Sequence, residues 1–443
     1  MFSHILIANR GEAALRILRT CRARGVRATL AVSDADRDSL PARLADGVVC
    51  IGPAAPGLSY LNGPALTQAA LAVGAQAIHP GYGFLAESAA FARQVTDAGL
   101  VFVGPSADAI ARLGDKAASR ALAASVGAPV IPGSGILTDE AAARRAADGL
   151  GYPVLLKAAA GGGGRGIRRV EDGAALAGQF AAARAEAVGA FGDGTLYMEK
   201  LLGHARHVEV QILADARGYV VALGERDCSA QRRRQKVLEE TPAPHLLAPM
   251  RDALHAAACR LAQAAGYVNV GTAEFLVDAD GQFYFMEMNA RLQVEHPVTE
   301  MVTGLDLVAE QLRVAAGEAN YGSLRLAPLG WAVEARVTAE DPDHDFLPRV
   351  GTVTRYQPPG GPGIRVDSHL TTGYTIPPWY DSLLAKVIAW GPDRPTAVAR
   401  LAGALGEMVI EGLPTTLPLL RWLVDSPAFR HGGVDTAWLQ RGA

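Results

Sequence analysis

Cysteine is scarce, lysine is nearly as scarce, and no apolar run in the 443 residues approaches the length of a membrane span. The four cysteines, Cys21, Cys50, Cys228 and Cys259, lack Cys-x-x-Cys spacing, which argues against a disulfide framework or a zinc site and favours a reducing cytoplasm. A bilayer-spanning helix needs about 20 apolar residues, so none is expected. Met1 runs directly into the strand pattern HILIANR (4–10), with no basic-then-apolar leader, so no export signal is expected. Charge of one sign is also missing. The 42 basic and 45 acidic side chains leave a net charge of −3, which argues against nucleic acid or a membrane surface as the main partner. Of the cationic residues only Lys116, Lys157, Lys200, Lys236 and Lys386 are lysine. In so arginine-rich a chain, a retained lysine suggests a need for a compact, flexible ammonium, with chance retention the alternative for at least one of them.

What is present begins with length. At 443 residues and 49% hydrophobic, the chain is expected to form about three domains. Residues 1–113 alternate strand patterns (4–9, 26–33, 47–52, 75–79 and 100–104) with helical ones. The first helix begins near Gly11, with Ala13, Ala14, Ile17, Leu18 and Cys21 on one stripe. This rhythm predicts a doubly wound parallel sheet, with ligand loops at ANRGE (8–12) and HPGYGF (79–84). Residues 114–203 read as a smaller unit that joins the strand PVLLK (153–157) to the run GGGGRG (161–166) and a helix near 172–188, and residues 204–330 as an α+β block rich in strands. Residues 331–443 combine strands, tight turns (PPGGPG, 358–363) and a helix near 394–408 in a mixed β/α domain.

Five stretches bear on chemistry. Gly161, Gly162, Gly163 and Gly164 let backbone N–H groups approach a phosphate and leave a loop free to close, although a glycine-rich surface turn explains them equally well. Lys157, ending an apolar strand just before them, favours an anionic partner. The segment 271–291 predicts a hairpin whose turn is ADGQ (279–282). Pairing Asp278 with Phe283 puts Glu274 opposite Glu287, about 5 Å apart at Cβ. Two opposed carboxylates repel unless a cation lies between them. With Asn289 on the same face they fit magnesium or manganese, the alternative being a solvated sheet edge. If the strand continues through ARLQVEHPVTE (290–300), Arg291, Gln293 and Glu295 share one side. Arg291 would then clamp an oxyanion and Glu295 act as base, or the two form only a salt bridge. HVEVQ (207–211) places His207, Glu209 and Gln211 on one strand face, where a lone histidine is usually just exposed. QRRRQK (231–236) reads as a solvated cationic loop unless a triphosphate lies beside Lys236.

In this order the stretches resemble the biotin carboxylase branch of the ATP-grasp superfamily over nearly the whole chain. IANRGEAALRI (7–17), HPGYGFLAE (79–87), KAAAGGGGRG (157–166), ERDCSAQRRRQK (225–236), EMNARLQVEHPVTE (287–300) and GYTIPPWYDSLLAK (373–386) carry the resemblance. It implies an N-terminal biotin carboxylase domain over 1–113, an ATP-grasp domain over 114–330 with a mobile glycine-rich lid over about 131–203, and a C-terminal biotin carboxylase domain over 331–443. It further implies that Lys116 and Lys157 hold ATP phosphates. Glu199 and Leu202 border the adenine, with Lys200 and Leu276 in the same nucleotide site and His207 and Gln231 turned towards it. Glu274, Glu287 and Asn289 bind magnesium or manganese. Lys236, Arg291, Gln293 and the Val294 backbone bind bicarbonate, Glu295 removes its proton, Arg336 stabilises the biotin anion, and Tyr82 lies near the biotin ring.

Two residues depart from the family pattern. Ala160 stands where glycine is common, which bears on the lid, and Arg234 where histidine is common, which bears on a nucleotide contact. None of the seven methionines precedes a lysine, so covalent biotin is not expected on this chain. With the sequence ending at Ala443, no carboxyltransferase is expected on this chain. The expectation is therefore a subunit, dimeric as is common in the family, that acts with a biotin carboxyl carrier protein and carboxyltransferase subunits of an acyl-CoA or related carboxylase. The alternatives are another ATP-grasp carboxylate–amine ligase and a catalytically idle nucleotide-binding subunit.

Overall fold

The N-terminal βα rhythm closes as expected in the computed structural model, which describes residues 1–159, 166–324 and 326–441. Strands β1 (His4–Ile7), β2 (Arg27–Ser33), β3 (Gly47–Gly52), β4 (Ala77–His79) and β5 (Val101–Phe102) form a parallel sheet in the order β3-β2-β1-β4-β5. The helix Gly11–Ala23 buries the expected stripe of Ala13, Ala14, Ile17, Leu18 and Cys21. The strand order reverses between β1 and β4, where an open α/β sheet forms its ligand crevice. The two loops that meet there are tied by Asn9, whose Nδ2 donates to the carbonyls of Pro80 (2.6 Å) and Tyr82 (2.8 Å). Gly81 has φ +65°, and a Cβ there would lie 2.7 Å from Asn9 Nδ2, so only glycine lets the loop carrying Tyr82 pass so close.

A small antiparallel sheet follows, with β6 (Val154–Ala158) between β7 (Ile167–Val170) and β8 (Leu196–Lys200). Helices Glu140–Leu150 and Leu176–Phe191 cover it, the second being the one expected near 172–188. It ends at Gly192 in the left-handed conformation that closes many helices. The expectations for Ala160 and for Gly161, Gly162, Gly163 and Gly164 fall outside the described residues.

The body is an eight-stranded antiparallel sheet. Strands β9 (Arg206–Ala214), β10 (Val220–Arg232), β11 (Gln235–Thr241), β12 (Asn269–Val277), β13 (Phe283–Asn289) and β14 (Trp331–Thr338) are joined by Ile364–Ser368 and Leu383–Gly391. The order is β13-β12-β9-β10-β11-β14, then 383–391, then 364–368. The sheet therefore draws strands from both 114–330 and 331–443. β9 lies inside this sheet, between β12 and β10, and His207, Glu209 and Gln211 are all buried, so the alternative of an exposed strand face does not hold.

Two expectations about the 271–300 segment need correction. Val277, not Asp278, stands opposite Phe283, because Asp278 is drawn into the turn, where its Oδ1 accepts from the amides of Asp280 (3.1 Å) and Gln282 (2.8 Å). A bulge after the Phe275–Phe285 pair then absorbs one residue and restores Glu274 opposite Glu287. The strand also stops at Asn289. Arg291, Gln293 and Glu295 lie in an irregular turn that leads into the helix His296–Thr303, with Pro297 in its first turn. The QRRRQK stretch is a tight hairpin, with Arg232 opposite Gln235 and positive φ at Arg233 (49°) and Arg234 (67°), the pattern of a type I′ turn. Among the described residues no helix is long and apolar enough to cross a membrane.

Candidate active site

The small sheet and the large one face each other across a cleft of about 1550 Å³. Every sequence-predicted site residue that is described lines it except Glu295, which is fully buried behind the wall. The turn after β13 and the β10–β11 hairpin bring the chemistry together. Lys236 sits among three carboxylates, with Nζ 2.6 Å from Glu209, 3.2 Å from Glu274 and 2.6 Å from Glu295. Arg336 on β14 donates to Glu295 (Nη2, 2.8 Å) and to Glu239 (Nε, 2.5 Å). Burial would push the Glu295 carboxyl up, but Lys236, Arg336 and Arg226 outweigh it and hold the group well below the usual carboxylate range. Glu295 is thus held as the carboxylate. The opposite balance holds for Glu239, which burial pushes up to about 7 despite Arg336.

Glu274 is the second hub. Its Oε1 accepts from Asn289 Nδ2 (2.8 Å) and Gln293 Nε2 (2.9 Å), and its Oε2 lies 3.1 Å from His207 Nε2. Gln231 Nε2 lies 2.8 Å from His207 Nδ1, and if it donates there the ring proton is left on Nε2, facing Glu274. Burial raises the Glu274 carboxyl while Lys236 and His207 lower it, with a net shift below the usual range. The His207, Glu209 and Glu274 ligand atoms lie within 4.8 Å of one another, but Lys236 contacts both carboxylates, which makes this an ammonium site. Opposite Glu274, Glu287 pairs with Lys116 at 2.8 Å. The hard oxygen donors of Glu274, Glu287 and Asn289 share one sheet face, and a lysine neutralises each carboxylate. That chemistry fits a divalent cation.

The remaining predicted residues are placed as follows. Lys157 is paired with Glu199, which also takes Arg120 Nη1 at 2.5 Å. Lys200 turns its ammonium to the carbonyls of Gly151 (2.7 Å) and Tyr152 (3.1 Å), at the C-terminal end of the helix Glu140–Leu150. Leu202, Leu276, Tyr82 and Val294 face the cleft. Arg234 Nη1 is 3.4 Å from the Ile167 carbonyl, so the hairpin touches the small sheet. Arg291 does not pair with Glu295. Its Nε donates to Glu87 (2.7 Å), and its Nη atoms reach Gln293 Oε1 and Asn289 Oδ1 (3.1 Å each).

Sequence reasoning gave no role to Glu87, Glu209, Glu239 or Arg226, although Glu87 and Arg226 lie within the quoted motifs. Arg226 is wholly buried and donates to Glu209 (2.6 Å), Gln211 (2.7 Å) and Thr299 (2.9 Å), so it fixes the carboxylate that in turn fixes Lys236. The strand alternation that put Glu209 beside His207 was the available signal.

A small antiparallel lid sheet and a large sheet closing on a cleft of lysines and paired carboxylates define the ATP-grasp class of enzymes. The family model for the carbamoyl-phosphate synthase L chain ATP-binding domain matches residues 115–320. Those for the biotin carboxylase N-terminal and C-terminal domains match 1–110 and 334–441. The biotin carboxylase of Nostoc sp. is 52% identical over 446 residues, covering 99% of both chains, and biotin carboxylase 1 of Bacillus subtilis is 48% identical over 99% of this chain and 98% of its own. The structure of a biotin carboxylase–β,γ-ATP complex from Campylobacter jejuni superposes with a TM-score of 0.97 at 45% identity, covering 100% of this chain and 99% of its own. The biotin carboxylase domain dimer of Hydrogenobacter thermophilus 2-oxoglutarate carboxylase, solved with MgADP, ADP and bicarbonate, gives 0.96 at 45% identity, covering 100% and 98%. The chain belongs to the biotin carboxylase family: it is an enzyme that carboxylates biotin at the expense of ATP.

Proposed function

We propose that the cleft phosphorylates bicarbonate with ATP and passes the carboxyl group to biotin carried by a separate protein. The observation that carries this reading is the single network in which Lys236 joins Glu295, Glu209 and Glu274, while Glu295 also holds Arg336. Lys236, Arg291, Gln293 and the Val294 N–H receive the bicarbonate anion, and the ionised Glu295 takes its proton. A carbonate oxygen attacks the γ-phosphorus, and the bond to the β-phosphate oxygen breaks to release ADP. The carboxyphosphate so formed splits into carbon dioxide and phosphate. That phosphate accepts the proton of the biotin ureido nitrogen, which then attacks carbon dioxide. Arg336 stabilises the ureido anion, with Tyr82 against the biotin ring.

Lys116 and Lys157 leave Glu287 and Glu199 for the ATP phosphates. Glu199, Lys200, Leu202 and Leu276 line the nucleotide site, while His207 and Gln231 hold Glu274 in place. Glu274, Glu287 and Asn289 would hold magnesium or manganese, which when bound neutralises phosphate charge. The domains divide at about 113 and 330. The partners are a biotin carboxyl carrier protein and the carboxyltransferase subunits of an acyl-CoA or related carboxylase, the assembly is a homodimer, and the compartment is the cytoplasm. The unpaired cysteines support that last assignment.

The test is ADP release by the purified chain with magnesium, with and without bicarbonate and free biotin. Turnover that requires bicarbonate, rises with biotin and stops on chelation of the metal is expected. Turnover stimulated instead by an amino acid would point to another carboxylate–amine ligase.

A further inference from the structure

Four of the five lysines belong to the cleft, but Lys386 does not line it. Its side chain is wholly buried in the strand Leu383–Gly391, with Arg336 directly opposite on β14 and Asp367 directly opposite on the other neighbouring strand. Directly opposed residues project from the same face of a sheet, so Lys386 and Arg336 are adjacent cations beneath the catalytic turn. Such a pair needs a counter-charge. Asp367 is largely taken by Arg365 (Nη2, 2.7 Å) and lies 3.9 Å from Lys386 Nζ. The nearer anion is Glu12, in the first turn of the helix Gly11–Ala23, with Oε2 at 3.2 Å. Apart from this ion pair, neither oxygen of the buried Glu12 has a well-directed hydrogen-bond partner. A carboxylate kept in that state is there for the lysine.

The ammonium spends its directed hydrogen bond on the catalytic turn, donating to the Val294 carbonyl at 3.0 Å. That oxygen belongs to the planar peptide whose nitrogen is that of Glu295. Fixing it fixes the direction in which Glu295 leaves the chain, as well as the attitude of the Val294 residue. The turn is irregular and lies between the end of β13 and the helix His296–Thr303, so regular strand pairing does not set its course.

We propose that Lys386, held by Glu12, is a positioning residue that fixes the Val294–Glu295 peptide and so aligns the base and the bicarbonate-binding backbone. This rests on the reading of Glu295 and Val294 given above. It also gives the N-terminal domain a direct hold on the chemistry, through Glu12.

The experiment compares Lys386→Met and Glu12→Gln with wild type in bicarbonate-dependent ATP turnover, normalised to sites that bind ATP. Lys386→Met is expected to raise the KM for bicarbonate or lower kcat by about tenfold or more, with the KM for ATP within about twofold of wild type. Glu12→Gln is expected to shift the same parameter by about threefold or more, and it carries the test alone if Lys386→Met does not fold. Wild-type constants in the folded variants would overturn the inference. So would equal losses towards ATP and bicarbonate, which a merely structural role would give. A wild-type enzyme indifferent to bicarbonate would instead sink the functional reading, and this inference with it.

Discussion

Glu295→Gln is expected to lower bicarbonate-dependent ATP turnover by about 10²- to 10⁴-fold, the usual contribution of a positioned general base, while ATP still binds. The side chain is fully buried and held ionised by Lys236 and Arg336, so the amide removes the proton acceptor with little change of shape. Lys236 keeps Glu209 and Glu274, and Arg336 keeps Glu239, so no buried cation is left alone. Lys116 and Lys157, proposed above to hold the ATP phosphates, pair elsewhere and are untouched. Turnover followed as ADP release, beside calorimetric ATP binding, separates lost chemistry from lost binding. Near-normal turnover would remove Glu295 from the mechanism.

Lys236→Met should have the largest effect on stability as well as abolishing turnover. The ammonium is the shared partner of Glu209, Glu274 and Glu295, all buried. Breaking a buried ion pair from one side typically costs about 3–5 kcal/mol, because the remaining charge stays desolvated. The pH dependence follows from the directions of the shifts. Glu274 and Glu295 are depressed in the folded protein, chiefly by Lys236 acting against burial, so their contribution is present above the ordinary carboxylate range and lost as pH falls. Without Lys236, burial pushes these carboxyls up and one can take a proton. The deficit should therefore be greatest at neutral pH and shrink towards pH ~4.5, around the ordinary glutamate range. Urea midpoints of variant and wild type across that range measure it, and a deficit independent of pH would contradict the electrostatic account.

The sequence showed some of this better than the rest, for physical reasons. The N-terminal helix and the strand β9 form where their patterns place them, because local geometry sets them, but both are buried on more than the face the pattern marks, because neighbouring elements cover the rest. The opposition of Glu274 to Glu287 was expected correctly, but by a register that is wrong at the turn. Asp278 closes the turn with its own side chain, and a bulge then compensates, and neither follows from alternation. The end of β13 at Asn289 was missed because ARLQVE alternates like a strand, while Pro297 and the packing of the following helix decide otherwise. The ion-pair partners were the least accessible. Arg291 meets Glu87, Lys236 meets Glu209 and Arg336 meets Glu239 across different elements, pairings that only the closed fold specifies. Scarcity of lysine was the most informative compositional feature: all five make directed contacts in or directly beneath the cleft.

The central claim is that this cleft activates bicarbonate by phosphorylating it, and oxygen transfer reads that step directly. The enzyme is incubated with ATP, magnesium, free biotin and bicarbonate labelled with heavy oxygen, and the released phosphate is analysed by mass. Carbonate attack on the γ-phosphorus predicts one labelled oxygen in each phosphate formed during biotin carboxylation. Unlabelled phosphate released alongside carboxylated biotin would contradict the account.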